Sequence, residues 1–120
     1  MGKSEKIKAP ASEKQVLSLL SLCARQGAAK SGEFLTEQTI KEHKAVLVIV
    51  ASDASDNTKK NFRDSCDFYT VPFRIFGTKE SVGHAIGRET RASLALTNAG
   101  LSQKILSLID ELQSGASLAK

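Results

Sequence analysis

Apolar residues recur along this chain with two different periods, and the alternation between them outlines a fold. Ser12 followed three residues later by Gln15 has the form of a capping box, and behind it Val16, Leu19, Leu20 and Cys23 return at helical spacing. A first helix therefore runs to about Gln26, where Gly27 ends it. Ala28 to Ser31 is short and suits an edge strand leading into a Ser31–Gly32 junction. A second helix then spans about Glu33 to His43, with Leu35, Thr39 and Ile40 turned inward. Lys44 to Ala51 (KAVLVIVA) is a continuous apolar run rich in β-branched residues and bounded by polar turns, the pattern of a central strand covered on both faces.

Beyond it, Ser52, Asp53, Ser55 and Asp56 offer N-caps for a third helix marked by Phe62, Cys66 and Tyr69. Val71–Pro72 stops that helix, and Pro72 to Phe76 extends as a strand. Thr78 caps a short fourth helix that carries Val82, Ala85 and Ile86 and ends at Gly87. Ser93 to Thr97 (SLALT) is a further strand, and Leu101, Ile105, Leu108, Ile109 and Leu112 form the stripe of a fifth, amphipathic helix. Strands alternating with helices imply an α/β fold, a sheet with helices on both faces. Ligands of such sheets gather at strand–helix loops along one edge. The loops expected there are Lys30–Glu33, Ser52–Thr58, Gly77–Glu80 and Thr97–Gly100.

Length and composition bound this picture. The 120 residues, 41% hydrophobic and 25% charged, make one globular domain, placed at residues 13–112. Residues 1–12 (MGKSEKIKAPAS) are polar and lysine-rich and read as a flexible basic segment; residues 113–120 read as a tail that frays. No run approaches a membrane span and residues 1–12 lack the apolar centre of a secretory signal, so a cytoplasmic protein with no membrane partner is expected. Cys23 and Cys66 lie far apart inside apolar helical patterns and are expected to be buried free thiols, with no CxxC or CxxH spacing for zinc. Seventeen basic against thirteen acidic residues leave a net charge of +4, and the pI is about 9.2. That bias is compatible with a nucleic-acid partner without requiring one.

A catalytic constellation is not legible. His43 lies at a helix end, where a histidine complements the helix dipole, and His84 sits on the short fourth helix. Asp53 and Asp56 follow the central strand and could hold Mg²⁺, but capping the third helix explains them more simply. SVGHAIG has two glycines four apart, yet it does not follow a strand, so the dinucleotide-binding pattern fails its context. Lys59, Lys60 and Arg63 read as a solvated helix face, with phosphate contact the alternative. Phe62, Phe68, Phe73 and Phe76 fall at core-like positions, which leaves no base-stacking sheet. The expectation is a protein with no enzymatic activity, no metal and no cofactor.

Three segments, SGEFLTEQTIKEHKAVLVIVASDASDNTKK, YTVPFRIFGTKESVGHAIG and SLALTNAG, together resemble the ribosomal protein L-seven-Ae superfamily, which includes the L-thirty-e proteins, and in particular its bacterial YlxQ-like branch. The resemblance covers about Val16 to Ile109. It implies a three-layer α/β/α sandwich around a four-stranded mixed sheet. It also implies an RNA-binding module whose partner is structured RNA: ribosomal RNA or another kinked RNA, in the setting of the ribosome or translation components. Many members bind kink-turn RNA with a glycine at a strand–helix junction, followed by an Asn-Glu pair and then a Lys. A second loop, before the last strand, covers a flipped-out nucleotide with apolar side chains.

Carried across residue by residue, the implied RNA-binding set is Lys30, Ser31, Gly32, Glu33, Phe34 and Gln38 at the junction, with Lys79 and the loop residues Arg88, Glu89, Thr90 and Arg91. Arg25 would add charge to the same edge. The glycine is kept as Gly32, but Phe34 and Leu35 stand at the Asn-Glu positions, Gln38 at the Lys position, and Arg88-Glu89-Thr90 where the second loop is apolar. A Phe-Leu pair neither donates nor accepts the base-edge hydrogen bonds that Asn and Glu supply, while a first-turn aromatic is free to stack on an unpaired base. The alternative reading is a protein-interaction adaptor on the same fold, with Phe34 in its docking patch.

Overall fold

Residues 11–118 are described by the structure, a computed structural model, and the basic segment expected at the N-terminus lies largely outside them. Among the described residues the elements run α1 (Glu13–Arg25), β1 (Ala29–Ser31), α2 (Glu33–Lys41), β2 (Leu47–Val50), α3 (Asp56–Tyr69), β3 (Phe73–Ile75), α4 (Lys79–Ala85), β4 (Ser93–Leu96) and α5 (Ala99–Leu118). The strands form one sheet in the order β1-β4-β2-β3. β2 runs parallel to β3 and antiparallel to β4, and β4 runs antiparallel to β1, so the sheet is mixed.

Strand geometry sorts the continuous apolar runs of β2 and β4 onto two faces, because successive side chains point to opposite sides. Leu47, Ile49, Leu94 and Leu96 pack with Val16 and Leu20 of α1, Val82 of α4 and Ile105 and Ile109 of α5. Val48, Val50 and Ala95 pack with Ile40 of α2 and with Phe62 and Cys66 of α3. The result is a three-layer sandwich whose β2 and β4 are buried along their whole length. Each Leu or Ile closed off this way contributes about 1.5–3 kcal/mol relative to exposure, which is why the sheet tolerates short edge strands.

The caps follow local chemistry. Ser12 and Gln15 form the expected capping box of α1, Ser55 caps α3 and Thr78 caps α4 in a box with Ser81. Cys23 and Cys66 are free and buried. Burial pushes the Cys66 thiol up to about 12, helped by the negative charges of Glu37 and Asp67.

Several expectations are corrected. Leu35 is 44% exposed; the inward residues of α2 are Thr36, Thr39 and Ile40, because the first turn overhangs the sheet edge while Thr36 is bonded to β4. Phe68 is 79% exposed despite its apolar character, for Phe62, Cys66 and Tyr69 already fill the inward stripe of α3 and Phe68 sits beside it. Helix α5 runs to Leu118. Asp53 caps no part of α3. Its Oδ1 accepts the N–H of Lys79 at 2.8 Å instead.

On one outer edge of the sheet the exposed carbonyls are taken by side chains. In the parallel β2–β3 ladder Arg74 faces β2, so the carbonyls of Phe73 and Ile75 point outward. Arg74 Nη1 donates to the Phe73 carbonyl at 2.8 Å and Gln113 Nε2 to that of Ile75 at 2.8 Å. Asp110 of α5 fixes the guanidinium through Nε at 2.6 Å and Nη2 at 3.1 Å.

Candidate nucleic-acid interface

The turn from β1 into α2 is made by Gly32 at φ 96°, ψ 161°, a region essentially restricted to glycine. Its N–H donates to the Ser93 carbonyl at 3.0 Å, and its own carbonyl accepts the Thr36 N–H at 3.0 Å to start the helix. No side chain caps α2, so the N–H groups of its first turn point outward from the sheet edge. Beneath them, the Thr36 hydroxyl reaches the Lys30 carbonyl at 3.4 Å and the Ser93 hydroxyl at 3.2 Å. A hydroxyl carries one proton, so with Thr36 donating to Lys30 it is Ser93 that donates to Thr36. The junction is thereby fastened to β4 from inside.

The loop between α4 and β4 climbs back along α4 toward that junction. Arg88 N–H donates to the Gly83 carbonyl at 2.8 Å, near the end of the helix, and Arg91 N–H to the Lys79 carbonyl at 3.0 Å, at its start. Between them the backbone of Thr90 lies directly over Gly83. Arg91 then reaches across: its Nε donates to Ser31 Oγ at 3.0 Å and its Nη1 to the Thr90 carbonyl at 2.8 Å. The loop after β2 joins the same edge, with Ser52 N–H donating to the Gly77 carbonyl at 2.8 Å and Asp53 holding Lys79 N–H. A continuous run of bonds thus links Asp53, Lys79, Arg91 and Ser31.

Lys30, Gly32, Glu33, Phe34, Lys79 and Arg91 consequently share one edge of the sandwich. Arg88 stands lower, beside the far end of α4. Arg25 lines a cavity of about 270 Å³ with His84 and Gly87, also at that far end. The Thr97–Gly100 loop, expected at the ligand edge, is on the opposite one: Thr97 N–H donates to the Ala28 carbonyl and Asn98 Nδ2 to Gln26 Oε1. The reason is topological, for β4 runs antiparallel to β2 and its C-terminal end points the other way.

Charge on the edge is unbalanced. Among the described residues Lys30, Lys79, Arg88 and Arg91 form no ion pair; the pairs that form are Glu37–Lys41, Glu42–Lys44, Lys60–Asp64 and Arg74–Asp110. Glu33 and Glu89 are exposed acids within the same region. Phe34 is 75% exposed at the leading turn of α2. Gln38, one turn further, is turned away from the junction, its Nε2 donating to Glu42 Oε2 at 3.1 Å. Elsewhere His43 adopts a left-handed φ of 62° and meets the Tyr69 ring edge-on at 5.5 Å. Sequence reasoning missed the tasks of Gly83, Ser93 and Asp53; the SVGHAIG glycines were the available signal for the first.

A glycine-turned strand–helix corner, bonded to a cation-bearing loop on a mixed α/β/α sandwich, defines a class of small α/β domain. The chain belongs to the Ribosomal protein L7Ae/L30e/S12e/Gadd45 family, whose model matches residues 14–106. It is 38% identical over 92 residues to the RNA-binding protein YlxQ of Bacillus subtilis (strain 168), which spans 77% of this chain and 92% of that protein. To the RNA-binding protein YlxQ of Enterococcus faecium it is 36% identical over 97 residues, 80% of this chain and 92% of that one. Among solved structures, a protein with unknown function from Bacillus halodurans C superposes with a TM-score of 0.78 at 36% identity, covering 80% of this chain and 97% of the other. The Giardia lamblia 15.5kD RNA binding protein shares the fold at a TM-score of 0.71 and 22% identity, over 88% and 92% of the two chains.

Proposed function

We propose that this chain is a non-enzymatic, ribosomal-protein-like RNA-binding module that grips structured RNA along the edge formed by the Gly32 junction and the Arg88–Arg91 loop. The observation that carries the reading is the 3.0 Å bond from Arg91 Nε to Ser31 Oγ. It joins the two segments that the family resemblance assigns to RNA into one surface, with Lys30 and Lys79 beside it. Outward N–H groups at the α2 start and unpaired cations around them suit phosphate oxygens. The similar proteins from Bacillus subtilis and Enterococcus faecium are both described as RNA-binding. The partner is ribosomal RNA or another kinked RNA, and the cytoplasm is the compartment this implies.

The test is a titration of the native chain against a kink-turn RNA, the same RNA with its G·A pairs disrupted, and ribosomal RNA fragments, over about 50 to 200 mM salt. Three engaged cations on that edge, Lys30, Lys79 and Arg91, predict a log–log salt slope of about −2 to −3. Tighter binding of the intact kink-turn would make the kink itself part of what is recognised; absence of binding to all three RNAs at the lowest salt would overturn the reading. In that event the exposure of Phe34 and Leu35, 75% and 44%, favours the adaptor reading, in which the same corner docks a protein.

A further inference from the structure

We infer that Phe34 is a stacking platform for one unpaired, splayed-out base, so that the RNA class this chain prefers is one carrying a bulged or looped nucleotide, read by its flat face rather than its hydrogen-bonding edge. This rests on the RNA-binding reading above and specifies its ligand. Phe34 is 75% exposed and takes part in neither core cluster; no packing duty explains an aromatic ring there. The side chains around it offer little donor capacity for a base edge. Leu35 has no polar atom, and the Gln38 amide nitrogen is spent on Glu42. Glu33 is an acceptor only. An aromatic face, by contrast, suits any base, and it is sequence-tolerant for that reason.

Charge argues that the occupant is a nucleotide and not an apolar peptide. Lys30 precedes the turn, and Arg91 is held on Ser31, three residues before Phe34 in the chain; both are without an ion-pair partner among the described residues, so positive charge lies at the junction that carries the ring. The other exposed phenylalanine makes the contrast. Phe68, at the far end of α3, packs edge-on against Tyr69 at 4.9 Å, and its near neighbours in the chain are Asp64 and Asp67, which would repel a phosphate backbone. A base inside an A-form duplex is already stacked and offers no face. Only an unpaired one fits Phe34.

The experiment compares a hairpin carrying a single bulged 2-aminopurine with the same stem fully paired, titrated with the native chain, Phe34→Ala, Phe34→Trp and Arg91→Ala. The native chain is expected to bind the bulged hairpin about ten-fold tighter and to quench the 2-aminopurine, as stacking of one base would give. Phe34→Ala should bring the two hairpins within about two-fold of each other, and Phe34→Trp should restore the preference. Exchanging the bulged base among all four should change affinity by less than about five-fold. Equal affinity of the native chain for both hairpins, or a preference that survives Phe34→Ala, overturns the inference; a Glu33-dependent preference for one base does the same. If Arg91→Ala weakens both hairpins while the bulge is ignored, the RNA-binding reading stands and the stacking platform falls. Failure of the native chain to bind either hairpin or the larger RNAs removes both.

Discussion

Thr90 lies on Gly83 with no room for a side chain: a methyl group on that glycine would sit 2.6 Å from Thr90 Cα and 2.9 Å from its carbonyl carbon. The contact decides where the Arg88–Arg91 loop runs. Replacing Gly83 by Ala would gain up to about 1 kcal/mol of helix propensity, whereas overpacking against backbone costs about 1–3 kcal/mol. The overlap wins, because neither a helix backbone nor a loop held at both ends relaxes cheaply. Gly83→Ala is expected to lower the urea midpoint by the equivalent of about 1 kcal/mol and to weaken RNA binding as Arg91 leaves Ser31. A stabilised variant with unchanged affinity would mean that the loop is not clamped.

Asp53 acts on the same loop from the other side. Its carboxylate accepts the Lys79 N–H, and the Lys79 carbonyl in turn accepts from Arg91. Asp53→Ala is expected to cost about 0.5–2 kcal/mol, the range of a lost helix cap. The specific signature is faster amide exchange at Lys79 and Arg91, with α3 unaffected because Ser55 caps it. Exchange rates measured residue by residue decide this. Acceleration confined to the start of α3 would restore the assignment made from sequence.

The two cysteines should be chemically silent in the native chain. Cys66 is 2% exposed and its thiol is pushed up to about 12; burial also raises that of Cys23. Since the thiolate is the reactive species, an aromatic disulfide reagent at pH 8 should release almost no colour from folded protein. Unfolding in urea should release both equivalents. Rapid reaction of the native protein would mean that α1 or α3 opens far more readily than the rest of the core.

Arg74 and Asp110 make a modest, pH-dependent contribution. The hydrogen bond from Arg74 holds the Asp110 carboxyl below its ordinary 3.8. A depressed carboxylate lends stability that is present above the ordinary value and lost as pH falls through the lowered one. Asp110 is 48% exposed, so solvent screening limits the pair to under about 1 kcal/mol. Asp110→Asn should therefore lower stability slightly at pH 7. Its deficit should vanish in more acidic urea titrations, well below pH 3.8; a deficit that persists there would assign the effect to packing instead.

The layers of this fold were legible because they rest on local patterns: the KAVLVIVA run, the stripe of α5 and the Ser12 and Thr78 caps all act within a turn or two of sequence. The family's corner was equally readable at Gly32, whose backbone no other residue adopts cheaply. What escaped depended on contacts between distant segments. Leu35 and Phe68 look like core by composition, yet one overhangs the sheet edge and the other flanks a filled stripe. The direction of β4 moved Thr97–Gly100 to the opposite edge, and no local signal announces strand direction. Asp53 could not be separated from its neighbours as a cap until the Gly77–Lys79 segment was seen to pass beside it.

The side chains along the flank of β3 have a consequence for the polyanion binding proposed above. Molecules gathered along one RNA strand meet their own kind at local densities far above those in free solution, and an open sheet flank would then recruit strands from neighbouring copies. Here the outward carbonyls of Phe73 and Ile75 are already taken by Arg74 and Gln113, and β1 on the other flank is only three residues long. The sandwich therefore offers a poor template for polymerisation where crowding would be greatest.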